Sequence, residues 1–569
     1  MRWWGWGEDG RSPGLPPGAK ALLNDELGLD GASSTPPVEL TEVELPEARL
    51  PGPALERLRA AVGAEHVLED RETRVKHAAG KSYPDLVRIR AGQASSAPDA
   101  VIMPGSAAEV AAVLEACSEA RVAVVPFGGG TSVVGGVEPL REGFAGIVSL
   151  DLARLDRLVG VDRRSLTATL DAGTTGPAAE RLLGRQGLTL GHFPQSFEHS
   201  SVGGWVATRS AGQASTGYGR ADELVEGLRF LAPAGELNVP AVPASAAGPA
   251  VRELLVGSEG VLGVICEATL RVRPAPEHRR YDGWSFRSFE EGVEALRVME
   301  QADASPDVAR LSDEEETRVS LAMAASGSRI EQLGRAYLRA RGHEGGCLAI
   351  VGLEGGEDEV GRRGRRCAAL LRAGGGLYLG ARPGRAWLKG RYAAPYLRDE
   401  LLDRGAMVET LETAAGWSKL SDVHQAVRRS LRDSLAARGT PPVVMCHVSH
   451  LYRSGASLYF TFLARRQPEA PLEQWWAAKR AATDAILAAG ATITHHHAVG
   501  RDHARWLEAE IGELGVELIR AAKQRLDPAG IMNPGKLLPV SPRPEGEAAS
   551  GYSLSPSRGS SRNPAQSAS

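Results

Sequence analysis

The chain has 569 residues, of which 43% are hydrophobic and 24% charged, and its net charge is −4. These values describe a globular protein with three or four compact units and exclude a global basic field that would draw it onto nucleic acid. No run reaches the roughly 18 apolar residues that span a bilayer, no apolar signal core opens the chain, and five scattered cysteines without a C-x-x-C pair argue for a reducing cytoplasm, with no disulfide framework and no metal.

Residues 1–50, rich in Gly, Pro and acidic side chains, read as an extended arm. Ala107 to Ala120 has Val110, Val113, Leu114 and Cys117 at helical spacing and predicts a helix. Val122 to Phe127 is a short buried strand, Ile147 to Leu152 and Leu166 to Ala172 are strands, and Pro177 to Gln186 is a helix stopped by Gly187. Leu224 to Ala232, Val251 to Leu255 and Cys266 to Val272 continue the mixture up to Pro274-Ala275-Pro276, a boundary. Beyond it, Tyr281 to Phe286, Phe289 to Gln301 and Ala309 to Leu311 form a strand, helix and strand. Leu348 to Leu353, Glu357 to Ala373 and Leu377 to Leu379 repeat that order, so two β-α-β units predict a ferredoxin-like sheet under helices. Val443 to His447 and Ser457 to Leu463 are strands, Pro471 to Ala489 a helix, Ile493 to His497 a strand, and Arg505 to Arg525 a helix ending at Asp527-Pro528. Residues 541–569 are expected to be a disordered tail. The expected fold is α+β: residues 51–276, 277–490 and 491–540 form a first domain, a second, and a C-terminal segment that returns to the first.

Three clusters of small residues carry the chemistry. Pro126-Phe127-Gly128-Gly129-Gly130-Thr131-Ser132 follows a strand, and its glycines let backbone amides approach an anion such as a diphosphate; it is neither a Walker loop nor a Rossmann fingerprint. Gln195, Ser196, Ser200, Ser201, Gly203 and Gly204 lead through Thr208, Arg209, Ser210 and Ala211. Gly257-Ser258 runs into Glu259, Gly260, Val261, Leu262, Gly263, Val264 and Ile265. Three such clusters in one domain suggest a long, flat, phosphate-containing ligand touched by backbone at several points.

In this order, PFGGGTS, SSVGGWVATRSAG and GSEGVLGVICEATLRVRP resemble the FAD-binding domain of the vanillyl-alcohol-oxidase/para-cresol-methylhydroxylase (PCMH) superfamily. The resemblance implies a two-subdomain PCMH-type FAD-binding domain under a ferredoxin-like cap, with a helical C-terminal segment. It also implies FAD, its diphosphate at residues 128–132, its isoalloxazine lined by 195–201 and 208–211, and further contacts at 259–265.

Within that superfamily the chain resembles the alkyldihydroxyacetonephosphate synthases. The likeness rests on Trp3-Trp4-Gly5-Trp6-Gly7, Leu190-Gly191-His192-Phe193-Pro194, Ala394-Pro395-Tyr396-Leu397-Arg398-Asp399, the Tyr459 strand and His495-His496-His497-Ala498-Val499-Gly500. These enzymes exchange the acyl group of acyl-dihydroxyacetone phosphate for a long-chain fatty alcohol, with flavin N5 carrying the C1 carbon between the two. The resemblance makes Tyr459 the acid–base residue, with His192, His495, His496 and His497 beside it and Arg398 and Arg310 on the substrate phosphate. It also implies a homodimer, and a long alkyl chain calls for membrane contact. With no targeting segment seen, the expected place is the cytoplasm, peripherally at the inner membrane.

Read without the family, His495 and His497 share one face of a strand and His496 the other; a metal site and a solvated surface run are open readings, and a polar wall that moves protons and binds phosphate fits best. Arg398 is a fork-shaped donor to phosphate or a solvated helix residue, on a helix spanning Leu388 to Leu402. By periodicity alone Tyr459 is a core tyrosine. Gln195 and Arg453 stand where the family commonly has acidic residues. The alternative is an FAD-linked 2-hydroxy-acid dehydrogenase of the D-lactate or glycolate type, in which Arg398 binds a carboxylate.

Overall fold

The computed structural model describes residues 1–538 apart from 9–13, 17, 30–33 and 325–327, and the expected tail at 541–569 lies outside the described residues. The first half holds two sheets on one core. Strands Ala100–Ile102, Gly146–Asp151 and Val122–Phe127 run parallel in that order, and the crossover a parallel pair needs is helix Ala107–Ala120. Ser106 caps its start by accepting from the Glu109 amide, and Arg121 ends it in the left-handed region at φ 52°. The second sheet is antiparallel, ordered Leu158–Asp162, Thr167–Asp171, Val264–Arg271, Val225–Ala232, Gly235–Val239. Side chains from both, among them Val124, Leu150, Leu170 and Phe230, share one buried cluster.

The second half is a seven-stranded antiparallel sheet. Its first four strands stand in the order Leu377–Gly380, His278–Phe286, Cys347–Gly355, Val308–Ser312. Numbered along the chain this is 4-1-3-2, the ferredoxin-like arrangement expected from the two β-α-β units. The sheet continues through Val443–Tyr452 and Gly455–Arg465 to strand Ala406–Gly416, which the sequence reading did not contain. Helices Leu420–Ala436 and Pro471–Ala488 cover it with Leu431, Trp475 and Ala482. Tyr83 and Leu86, from helix Tyr83–Arg90 of the first half, are buried in the same cluster.

Four expectations are corrected. The arm is not extended throughout: Ala19–Leu27 is a helix whose Leu22, Leu23 and Leu27 pack against Val319, Val408 and Leu463, which accounts for its apolar side chains. Leu388 to Leu402 is two helices, Ala381–Gly390 and Ala394–Asp403, the second beginning with Pro395 in its first turn, where a missing amide costs nothing. The helix expected over Arg505 to Arg525 breaks at Gly512, φ +79°, between Leu507–Ile511 and Glu513–Leu526. Ile493 to His497 is a loop, not a strand, for a reason given below. Among the described residues no helix is long and apolar enough to cross a membrane.

Candidate active site

The three small-residue clusters meet in space. A Cβ on Gly128 would overlap the Ser201 hydroxyl, and one on Gly129 the His199 carbonyl; Gly130 sits at φ +64° under the Phe127 ring. The third cluster closes on the other two: the Gly257 amide donates to the Val206 carbonyl (3.0 Å) and the Glu259 amide to that of Ala207 (3.0 Å). A Cβ on Gly260, also at positive φ, would stand 2.9 Å from Pro126. Ser201 caps helix Val202–Thr208 by accepting from the Gly204 amide, and Gly203 lies against Ala172.

The other cofactor candidates take several places. Ser132 Oγ accepts from the Gly136 amide (2.9 Å), Ser200 Oγ from Trp205 Nε1 (2.7 Å), and Thr208 Oγ1 donates to the Gly204 carbonyl (2.8 Å). Ser210 Oγ lies 3.3 Å from His192 Nε2. Leu262, Val264 and Ile265 belong to the apolar core, and Val261 packs against Val499 and Leu507. Arg209 lines the cavity beside the cradle and donates to the Val256 and Glu253 carbonyls. Glu259 receives the amides of Val499 (2.9 Å) and Gly500 (2.7 Å), clasping the His loop to the first domain, and burial lifts its carboxyl to about 7.

The cradle fits FAD. Its backbone is bare of side chains at the glycines, and the buried Thr174 Oγ1, His192 Nδ1, Gln195 Oε1 and Ser258 Oγ have no hydrogen-bond partner among the described residues, a cost that a polar ligand relieves. If it holds FAD, Gly129→Ala drives a methyl into a carbonyl and weakens flavin retention at least tenfold, about 1.4 kcal/mol. The flavin-to-protein absorbance ratio after gel filtration reads this, and a wild-type ratio would remove the loop from the cofactor site.

A cavity of about 450 Å³ lies beside the cradle, lined by Thr208, Arg220, Glu259, Tyr452, His495 and His496 among others. Its wall is the His loop, and one buried carboxylate shapes that loop. Glu412, on strand Ala406–Gly416, accepts from the backbone amides of His495 (2.6 Å), His496 (3.0 Å) and His497 (2.7 Å) and from the Thr494 hydroxyl (2.7 Å). Amides of successive residues point to opposite sides in a strand, so three consecutive amides on one carboxylate require a loop. Burial opposes the charge on Glu412, but the adjoining His496 imidazole outweighs it and holds the carboxyl well below its ordinary range. The strand alternation expected for the histidines is accordingly absent: His495 Nδ1 and His496 Nδ1 lie 2.9 Å apart. Arg220 donates to the His495 carbonyl (2.9 Å) and Tyr452 Oη lies 2.5 Å from His495 Nε2.

Tyr459 joins this wall. It pairs in register with Glu412 on one side and His447 on the other, its ring stacked near those of His447 (5.0 Å) and His496 (6.0 Å) and edge-on to His497 (5.5 Å). Burial pushes its hydroxyl up to about 12 and pulls His192 and His497 each down to about 3. At neutral pH the wall therefore offers a protonated phenol at Tyr459 and neutral imidazoles at His192 and His497. Arg398, buried, donates to the Lys81 carbonyl (3.0 Å) and to Glu409 (3.3 Å), and its Nε has no partner within the protein. Arg310 bonds Glu316 and the ring of His447, the neighbour of Tyr459. Glu412, His447 and Arg220 lie outside every sequence motif. The signal for Glu412 was a pair of carboxylates, Glu409 and Glu412, in strand Ala406–Gly416, since buried carboxylates are paired.

This is an FAD-binding oxidase-type fold with a tyrosine–histidine wall. Residues 98–239 match the family model "FAD binding domain" and residues 275–537 the model "FAD linked oxidases, C-terminal domain". Alkyldihydroxyacetonephosphate synthase of Dictyostelium discoideum is 32% identical over 92% of this chain and 88% of its own. The synthase of Trypanosoma brucei brucei is 32% identical over 95% and 93%. A solved alkyldihydroxyacetonephosphate synthase structure superposes with TM-score 0.82 at 29% identity, covering 94% of this chain and 98% of its own. The chain belongs to the alkyldihydroxyacetonephosphate synthase family.

Proposed function

We propose that the enzyme exchanges the acyl group of acyl-dihydroxyacetone phosphate for a long-chain fatty alcohol, giving alkyl-dihydroxyacetone phosphate and a fatty acid. The observation that carries this reading is the wall of Tyr459, His496 and His497, whose histidine loop is held on Glu412. Bound FAD, held by the glycine cradle, supplies at N5 a nucleophile that also departs, dividing the displacement at C1 into two steps. The chain's own residues bind and move protons. The Arg398 guanidinium, with its unpartnered Nε, and His496 take the phosphate. Tyr459 starts protonated, so it relays a proton instead of acting as a standing phenolate: its hydroxyl passes a proton on while a neutral imidazole of His497 or His192 receives one. His495, bonded to Tyr452 and His496, holds the wall's geometry. Arg310 acts on the site through His447, the neighbour of Tyr459.

The test is anaerobic. Palmitoyl-dihydroxyacetone phosphate is expected to bleach the flavin, and hexadecanol to restore it without oxygen while an ether lipid forms. Bleaching by D-lactate or glycolate instead, reversed only by an electron acceptor, would make this a hydroxy-acid dehydrogenase.

A long alkyl chain requires delivery from a lipid surface, and the reading includes peripheral membrane contact. Helix Arg329–Ala340 supports it: Leu333 and Tyr337, 69% and 49% exposed, stand four residues apart on one face. Failure to co-sediment with anionic vesicles would sink the membrane part. The proposed homodimer fails on a monomer mass by light scattering, and the proposed cytoplasmic location at the inner membrane fails if cell fractionation finds the protein elsewhere.

A further inference from the structure

The first residues of the chain run along the interior. Trp6 is 4% exposed, and its amide donates to Asp399 Oδ2 at 2.7 Å. Gly5 lies so close that a Cβ would overlap the Asp399 carboxylate. The buried Lys81 reaches the same segment, its ammonium donating to the carbonyls of Arg2 (3.1 Å) and Trp3 (3.4 Å). Arg90 lies over the Trp4 ring. A turn from Arg2 N to the Gly7 carbonyl (2.7 Å) shapes the segment.

Both residues gripped in this way adjoin Arg398. Asp399 follows it on helix Ala394–Asp403. The Lys81 carbonyl accepts from Arg398 Nη1, while the Lys81 amide donates to the Ser132 carbonyl (2.6 Å) at the end of the glycine loop. Lys81 is thus a junction between cofactor loop, cap helix and N-terminal segment. Its ammonium is buried, and the segment's carbonyls are the acceptors that the structure gives it.

We propose that Arg2–Gly7 is a positioning element of the active site: by holding Lys81 and Asp399 it sets where the Arg398 guanidinium meets the substrate phosphate. This rests on the reading of Arg398 as the phosphate residue. Displacing a guanidinium by an ångström is enough to weaken a fork-shaped contact strongly.

The test uses the full-length holoprotein. Gly5→Ala pushes the segment off Asp399 by sterics alone, and Lys81→Met removes the ammonium while keeping the backbone junction. In each, KM for palmitoyl-dihydroxyacetone phosphate is expected to rise about tenfold or more with a smaller change in kcat. Amide exchange across residues 394–403 should quicken, with flavin content and unfolding temperature as in wild type. In an Arg398→Met background Gly5→Ala should raise KM no further, a coupling that a general packing role would not produce. Unchanged KM and exchange, or losses accounted for by lost flavin or a lower unfolding temperature, would overturn the proposal. If the wild-type enzyme fails to turn over the acyl substrate, the proposed function falls, and the exchange of residues 394–403 in Gly5→Ala still decides whether the segment holds that helix.

Discussion

Tyr459→Phe is expected to slow the exchange reaction by about 10²- to 10⁴-fold, the usual contribution of a positioned acid–base group, while the protein stays yellow and folded. The substitution removes one oxygen and leaves the ring that stacks between His447 and His496. Because burial holds the hydroxyl near 12, wild-type activity should show no titration of this residue as a free phenol below pH 10. Stopped-flow bleaching of the flavin by the acyl substrate isolates the first half of the reaction. A Phe variant that bleaches within tenfold of wild type would take Tyr459 out of the proton path.

Glu412→Ala is expected to be the most damaging substitution for the fold around the site. It strands three backbone amides and a hydroxyl that now share one carboxylate. Removing one partner of a buried charged network costs about 3–5 kcal/mol, and the histidines lose their placement as well. Urea unfolding reads the first effect and the exchange assay the second; a loss below about 1 kcal/mol would mean that the loop holds itself. Glu412→Gln keeps an acceptor and should fall between. The pH dependence has a definite sign. A carboxyl held well below its ordinary value of 4.5 contributes stability above that value and loses it as the pH falls toward the folded pKa. Glu412→Gln should flatten the acid limb of the stability curve.

The legible parts of this protein were those in which local chemistry and tertiary need coincide. Gly128 to Gly130 advertise a close approach because no other residue survives one, and the regular alternation after residue 277 already encodes the 4-1-3-2 sheet. The His loop was legible as a cluster of imidazoles and misread as a strand, since its shape is imposed by Glu412, over eighty residues away in sequence and carrying no motif. Arg398 could be named but not placed, because its surroundings come from residues 81 and 409. The N-terminal tryptophans looked like part of a loose arm; their burial depends on Asp399 and Lys81, which no local pattern connects to them.

The C-terminal stretch has a consequence for how the molecule is made. The Val124 amide donates to the Ile531 carbonyl, and Val124 accepts from the Asn533 amide. Asn533 Nδ2 bridges the carbonyls of Gly136 and Glu259. The edge strand bearing the glycine loop is therefore finished by some of the last described residues to leave the ribosome. Without residues 531–533 that edge would be unpaired, and an unpaired sheet edge invites mispairing. A chain lacking residues 531–533 should therefore leave the edge beside the glycine loop open and retain flavin poorly, which the flavin-to-protein absorbance ratio of a truncated variant reads.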